Sequence, residues 1–210
     1  DKELENRGHR CCRYAEDGNI YVRPNPAELR VMKSITRFIE DRLHLKVNKG
    51  KSAVAPVWER EFLGYRLLHT GDLGIAPRSI VRFKERIRQI TRRNRSMNLA
   101  AMIGEVNLFI TGWVTYFRLA RCKGHLEKLD KWIRRKLRCV RLKQCKRVNA
   151  IATFLKTLGV PEWRAWIVAL SGKGWWRLAS TPQATEAMSL VWFKNQGLVS
   201  LTKRYLALTR

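Results

Sequence analysis

From residue 79 the apolar side chains recur every three to four positions, and they keep that period through about residue 147. Ile80, Phe83, Ile87 and Ile90 make one stripe, opposite Arg82, Lys84, Arg86, Arg92, Arg93 and Arg95. Such a pattern marks a helix that buries one face and solvates the other. Asn98 can cap a second helix, expected from Leu99 to about Leu119. A third, about His125 to Arg147, turns Leu126, Leu129, Trp132, Ile133 and Leu137 inward. Three consecutive helices on short connections predict a bundle.

The chain upstream has a different rhythm. Tyr14-Ala15-Glu16-Asp17 lies between two short β-like runs, which places two carboxylates at a hairpin tip whose turn Gly18 eases. The same tetrapeptide also reads as an ordinary acidic surface turn. Pro24-Asn25-Pro26 is a stiff turn, and Leu29, Met32, Ile35, Thr36, Ile39 and Leu43 then recur at helical spacing. Lys46 to Ser52 reads as a strand running into a basic turn. Phe62 to Leu67, with Leu73-Gly74-Ile75, suggests a hairpin across His69-Thr70-Gly71-Asp72. The order ββαβββ predicts an α+β unit with the helix over one sheet face. In the tail, a helix carrying Ile151, Phe154, Leu155 and Leu158 should end at Gly159, Pro161 starts a short one, and Thr181-Pro182 opens another to about Asn195.

Charge narrows the partners. The 210 residues carry 43 basic and 17 acidic side chains, a net charge of +26, while 45% apolar content with eight tryptophans argues against a disordered basic tail. Residues 61–148 hold 22 of the basic side chains against 6 acidic ones. A polyanion is the natural partner, and phosphate neutralisation would make binding strongly salt-dependent. An anionic membrane surface is the competing polyanion, but no apolar run long enough for a membrane span is expected, so no membrane partner is assigned.

Cys11, Cys12, Cys122, Cys139 and Cys145 are odd in number and lack a C-x-x-C pair, which argues against a disulfide framework or a structural zinc site. Reduced thiols fit a cytoplasmic protein. The chain opens on Asp1 without an initiator Met or a signal-peptide pattern, as a piece of a longer protein would.

Five segments, in order, resemble the C-terminal part of a group II intron reverse transcriptase/maturase. They are RYAEDGNIYV (13–22), similar to the family's RYADD catalytic hairpin, then LKVNKGKS (45–52), EFLGYRL (61–67), GWVTYFR (112–118) and LDKWIRRKLR (129–138). The last two resemble the maturase thumb. The resemblance implies an α+β fold: residues 1–77 as the C-terminal part of a palm, 78–148 as a three-helix maturase-specific thumb, and 149–210 as a helical extension and candidate DNA-binding region. It implies catalytic and Mg²⁺-binding roles for Glu16 and Asp17, a position beside the incoming nucleotide for Lys51, and a primer grip at Phe62, Leu63, Gly64 and Tyr65. Glu16 stands where the family has aspartate. The extra methylene displaces its oxygens, and about 1 Å of misplacement can cost on the order of 100-fold in rate. The family's upstream catalytic aspartate and fingers motifs are not in these 210 residues, so polymerisation by this chain alone is not expected.

The basic run Arg134, Arg135, Lys136, Arg138, Arg141, Lys143, Lys146 and Arg147 has only Glu127 and Asp130 nearby to offset it. Like charges on one helix repel unless a polyanion compensates, so Arg134, Arg135, Arg138, Arg141 and Lys143, with Arg92, Arg93, Arg95 and Arg118, are the expected phosphate contacts. Trp113, Tyr116 and Phe117, spaced i, i+3 and i+4, fit core packing, with base stacking as the alternative for them and for Trp132. The resemblance makes intron RNA the partner and target DNA a second candidate. Two other readings stay open: an active RNA-directed DNA polymerase completed by sequence upstream, and a basic helical DNA-binding protein without either role.

Overall fold

In the computed structural model the chain is α+β, with eleven α-helices and two small antiparallel sheets among the described residues, 1–23 and 27–209. The expected stiff turn at 24–26 lies outside them. The chain divides into two compact units, Asp1–Leu73 and Gly74–Arg210.

The first unit opens with a short helix α1 (Lys2–Asn6), which the sequence reading missed, followed by the hairpin β1 (Arg10–Tyr14) and β2 (Asp17–Tyr21). Helix α2 (Ala27–Leu43) follows the expected period. Arg7 ties α1 to it, donating from Nη1 to Ser34 Oγ at 2.9 Å and lying over the Phe38 ring. Of the α2 stripe Ile35 is buried, Met32, Thr36 and Ile39 are half-buried, and Leu29 and Leu43 are exposed, so the apolar face is only partly covered. Residues 46–52 are not a strand. Asn48 organises them instead: its Oδ1 accepts from the amides of Gly50 and Lys51 at 3.1 and 3.2 Å, a local turn that displaces extended pairing.

Strands β3 (Glu61–Phe62) and β4 (Tyr65–Leu67) pair antiparallel, and β5 (Leu73–Ile75) is third in that sheet. The run expected as one strand from Phe62 to Leu67 is therefore folded back on itself. Leu63 (φ 52°) and Gly64 (φ 77°) form a two-residue loop with both φ angles positive, the twist that fits a tight hairpin. The expected turn at 69–72 also forms. Leu68 N donates to Asp72 O at 2.8 Å, and Gly71 takes φ 83°.

The second unit is helical: α3 (Pro77–Ile90), α4 (Leu99–Tyr116), α5 (Lys123–Gln144), α6 (Val148–Thr157), α7 (Glu162–Ala169), α8 (Trp175–Leu178), α9 (Pro182–Ala187), α10 (Leu190–Asn195) and α11 (Leu201–Leu208). Asn98 caps α4 as expected, its Oδ1 accepting from Ala101 N at 2.8 Å. Phe83 and Ile87 of α3, Val106, Ile110 and Val114 of α4, and Leu126, Ile133 and Leu137 of α5 are all buried. Each such side chain contributes about 1.5–3 kcal/mol by leaving water. Phe83, Trp113 and Phe117 stack in sequence with ring centroids 4.6 Å apart, so Trp113 and Phe117 are packing residues, whereas Tyr116 is exposed.

Residues 149–210 share this core. Leu155, Ala165, Met188, Phe193 and Leu201 are buried in the same unit as the bundle. Helix α6 ends as expected at Gly159, whose φ of 86° lets Val160 N reach back to Leu155 O at 3.1 Å. The helix expected from Pro182 to Asn195 is broken in two. Ser189 caps α10 by accepting from Trp192 N at 3.3 Å, which gives the chain a fresh start after Met188.

One segment overturns the expectation that no run is long enough to span a membrane. Leu99–Leu119 has the length and a mean hydropathy of 1.2 that would suffice. Six residues of α4, Leu99, Met102, Ile103, Val106, Ile110 and Val114, are buried, Leu108 and Leu119 are exposed, and Glu105 is held in an ion pair with Arg95.

Candidate nucleic-acid interface

The register that pairs Tyr14 with Asp17 leaves Ala15 and Glu16 as a two-residue loop. Ala15 takes the positive φ (52°), so the turn is not eased by Gly18, which sits inside β2 opposite Arg13. Arg13 stabilises the loop by donating from Nη1 to Ala15 O at 3.0 Å while Nε and Nη2 hold Asp1 at 2.9 and 2.8 Å. Glu16 and Asp17 are both exposed. Mg²⁺ wants near-octahedral oxygen ligation from convergent groups, and no cluster of three or more His, Cys, Asp or Glu able to hold a metal occurs among the described residues. Two adjacent carboxylates on a solvated turn do not by themselves meet that requirement.

Lys51 is exposed on the turn built by Asn48. Phe62 and Tyr65 are the paired residues that flank the Leu63-Gly64 loop, so the four residues expected as a primer grip do form one tight hairpin.

Helix α5 rearranges the reading of the basic run. Arg138 is only 8% exposed, and its Nε and Nη2 donate to Met188 O at 3.1 and 3.0 Å. Burial, with Arg134 beside it, pushes its guanidinium down to about 10. Arg138 is therefore corrected from a phosphate contact to a clamp on the end of α9. Arg135 donates from Nε and Nη2 to Trp176 O at 3.1 and 2.9 Å and lies 3.9 Å over the Trp176 ring. Arg141 lies 4.0 Å over the Phe154 ring, and Arg134 is pulled down by burial against an opposing pull from Asp130. Three of the expected contacts, Arg135, Arg138 and Arg141, thus have intramolecular partners. A planar guanidinium can serve a carbonyl and a ring together, which a neighbour count along the sequence cannot reveal.

Asp130 is spent as well. Buried at 6% exposure, it accepts from Ser200 Oγ (2.8 Å), Leu201 N (2.9 Å), Thr202 N (3.1 Å) and Thr202 Oγ1 (2.8 Å), the first turn of α11. In the loop between α3 and α4, Arg95 is paired bidentately with Glu105 at 2.8 and 2.9 Å and holds that carboxyl below its ordinary value. Arg92, Arg93, Arg118 and Lys143 are exposed.

What remains is a cluster that sequence reading did not assemble. Trp132 of α5 and Trp176 of α8 are interleaved with cations: Arg88 is 5.8 Å from the Trp132 centroid, and Lys136 Nζ is 5.6 Å from Trp132 and 5.3 Å from Trp176. Lys136 is pulled down by burial first, with Cys139 opposing and Arg88 and Arg93 adding to the fall. The buried Cys139 thiol is pushed up by desolvation, against Arg93, Lys136 and Arg135. Arg88, Arg93, Arg135 and Lys136 converge without a carboxylate among their described partners. The period of α3 exposes Arg88, but nothing local to it announces Trp132.

Residues 80–158 match the family model described as the group II intron, maturase-specific domain. Over these residues, fewer than half of the 210, the chain is similar to that domain. The match runs from the first turn of α3 to the residue that closes α6, and so holds Arg88, Arg93, Trp132, Arg135 and Lys136. No curated protein matches the chain in a sequence search.

Proposed function

We propose that this chain is the RNA-binding C-terminal portion of a group II intron reverse transcriptase/maturase, which stabilises the folded intron for splicing. The observation that carries the reading is the coincidence, within residues 80–158, of the maturase-specific match with a cation cluster that no carboxylate neutralises among the described residues. Folded RNA is recognised largely through shape, phosphates and 2′-hydroxyls, and a basic helical surface suits it. On this reading residues 1–77 are the end of a reverse-transcriptase palm, 78–148 the thumb and 149–210 the extension, with target DNA as a further partner and RNA-directed DNA synthesis an activity of the complete protein only.

The test is the salt-matched affinity of the full chain for three ligands: the group II intron RNA that carries this reading frame, an unrelated structured RNA, and duplex DNA. Preference for the intron is expected. Equal affinity for all three would refute the maturase reading and favour a general basic DNA-binding protein.

A further inference from the structure

We infer that the Arg88, Arg93, Lys136 and Trp176 cluster is a seat for one unpaired nucleotide of RNA, with its phosphate among the cations and its base on the indole. The inference deepens the RNA-binding reading and rests on it. Three observations carry it.

The first is charge without compensation. Arg88 of α3 and Lys136 of α5 lie 5.8 and 5.6 Å from the same Trp132 centroid, and Arg93 of the loop after α3 is near enough to act on Lys136, so three separate elements bring like charges together. In the same region Arg95 has Glu105 and Arg134 has Asp130 near it. Cations concentrated this way raise the energy of the free protein until an anion arrives.

The second is an aromatic ring held in place yet left partly open. Trp176 is 39% exposed. Arg135 grips both its carbonyl, at 2.9 Å, and its ring, at 3.9 Å, and a further bond from Arg135 Nη2 to Ser180 Oγ at 3.0 Å fixes the guanidinium. Arg135 is a positioning residue: its contacts hold the indole before a ligand binds, which removes part of the entropic cost of stacking.

The third is the alternation itself. Cation and indole follow one another from Arg88 through Trp132, Lys136 and Trp176 to Arg135. Alternating charge and π-surface is what a strand with phosphates on one side and free bases on the other requires. Bases inside a duplex are covered by their neighbours and cannot reach the ring, so the occupant is unpaired.

The experiment uses the full chain, fluorescein-labelled oligo(rU) and oligo(dT) of twelve nucleotides, and a blunt RNA duplex with as many phosphates. Trp176→Ala should weaken oligo(rU) by about 5- to 100-fold with an unchanged salt slope and leave the duplex within about twofold, whereas Trp176→Phe keeps most of the affinity. Arg93→Gln, at an exposed loop position, should weaken oligo(rU) and lower its salt slope by about 0.7. Should Trp176→Ala fail to fold, the crosslink of a 4-thiouridine oligonucleotide to the peptide carrying Trp176 decides in its place. Equal losses on single strand and duplex, an unchanged slope for Arg93→Gln, or a crosslink elsewhere would overturn the site. Tighter binding of oligo(dT) than oligo(rU) would overturn RNA as its occupant. If the wild-type chain prefers its intron while these variants behave as wild type, only this inference fails; if the wild-type chain shows no preference, the underlying reading fails.

Discussion

Replacing Asp130 with asparagine changes almost no volume yet should detach a helix that begins 71 residues away. The Asp130 carboxylate accepts four hydrogen bonds from the start of α11, and two of the donors are backbone amides, Leu201 N and Thr202 N. The hydroxyls of Ser200 and Thr202 can rotate and accept from a carboxamide. An amide N–H cannot, and whichever way the substituted side chain is turned, its NH₂ group meets one of those two amides. A buried donor left unpaired costs about 1–3 kcal/mol, and the loss of charge weakens the remaining bonds further, so a total of about 2–4 kcal/mol is expected. At roughly 2–4 °C per kcal/mol for a chain of this size, Tm should fall by about 4–16 °C. Circular dichroism at 222 nm on the full chain measures that fall. Hydrogen exchange mapped by mass spectrometry should show protection lost first in Leu201–Leu208, which then keeps Tyr205, bonded through its hydroxyl to Ala120 O, as a polar anchor. A Tm within about 1 °C of wild type, with α11 still protected, would refute the claim that Asp130 holds this helix.

Arg138→Met keeps the stem packing but leaves Met188 O without its donor; it should cost about 1–3 kcal/mol in urea unfolding and leave the salt slope of RNA binding unchanged. Gly159→Ala has open space around the new methyl but must adopt φ 86°, and should destabilise the chain by about 1–2 kcal/mol in the same assay. Leu63→Asn suits a loop with positive φ better, and should slow hydrogen exchange across β3 and β4. Burial pushes the Cys122 thiol up to about 11, so its thiolate is disfavoured in the fold. Its folded value lies above the ordinary one, so this group's contribution is intact below about pH 9 and declines as pH rises toward 11. Thiol labelling at pH 8 should accordingly modify the exposed Cys12 well before Cys122 and Cys139, and equal rates in the native protein would contradict the packing.

Local chemistry was legible in the sequence wherever it was complete within a few residues. The stripe of α3, the caps at Asn98 and Thr181, and the Gly159 stop all depend on neighbours within one turn, and all formed as expected. The errors share a different cause. Arg138 looked like a phosphate contact because the carbonyl it serves, on Met188, is fifty positions on. Asp130 looked like a counter-ion for the basic run, while its donors lie at 200–202. Lys46–Ser52 has strand-like composition, but Asn48 offered a nearer hydrogen-bonding solution. The Trp132 and Trp176 cluster was invisible for the same reason: its members come from three helices and one loop.

Helix α5 gives the C-terminal segment three separate moorings, through Asp130, Arg135 and Arg138. The similarity to known maturase domains stops at residue 158, but every one of those moorings has its partner beyond it. Cutting the chain at 158 would therefore strand one carboxylate and two guanidiniums on the wall of the bundle. The border of resemblance is not a border of folding: a fragment trimmed to the former should bind RNA less selectively and stick to itself, because the charges that once held helices would be left seeking new counterparts.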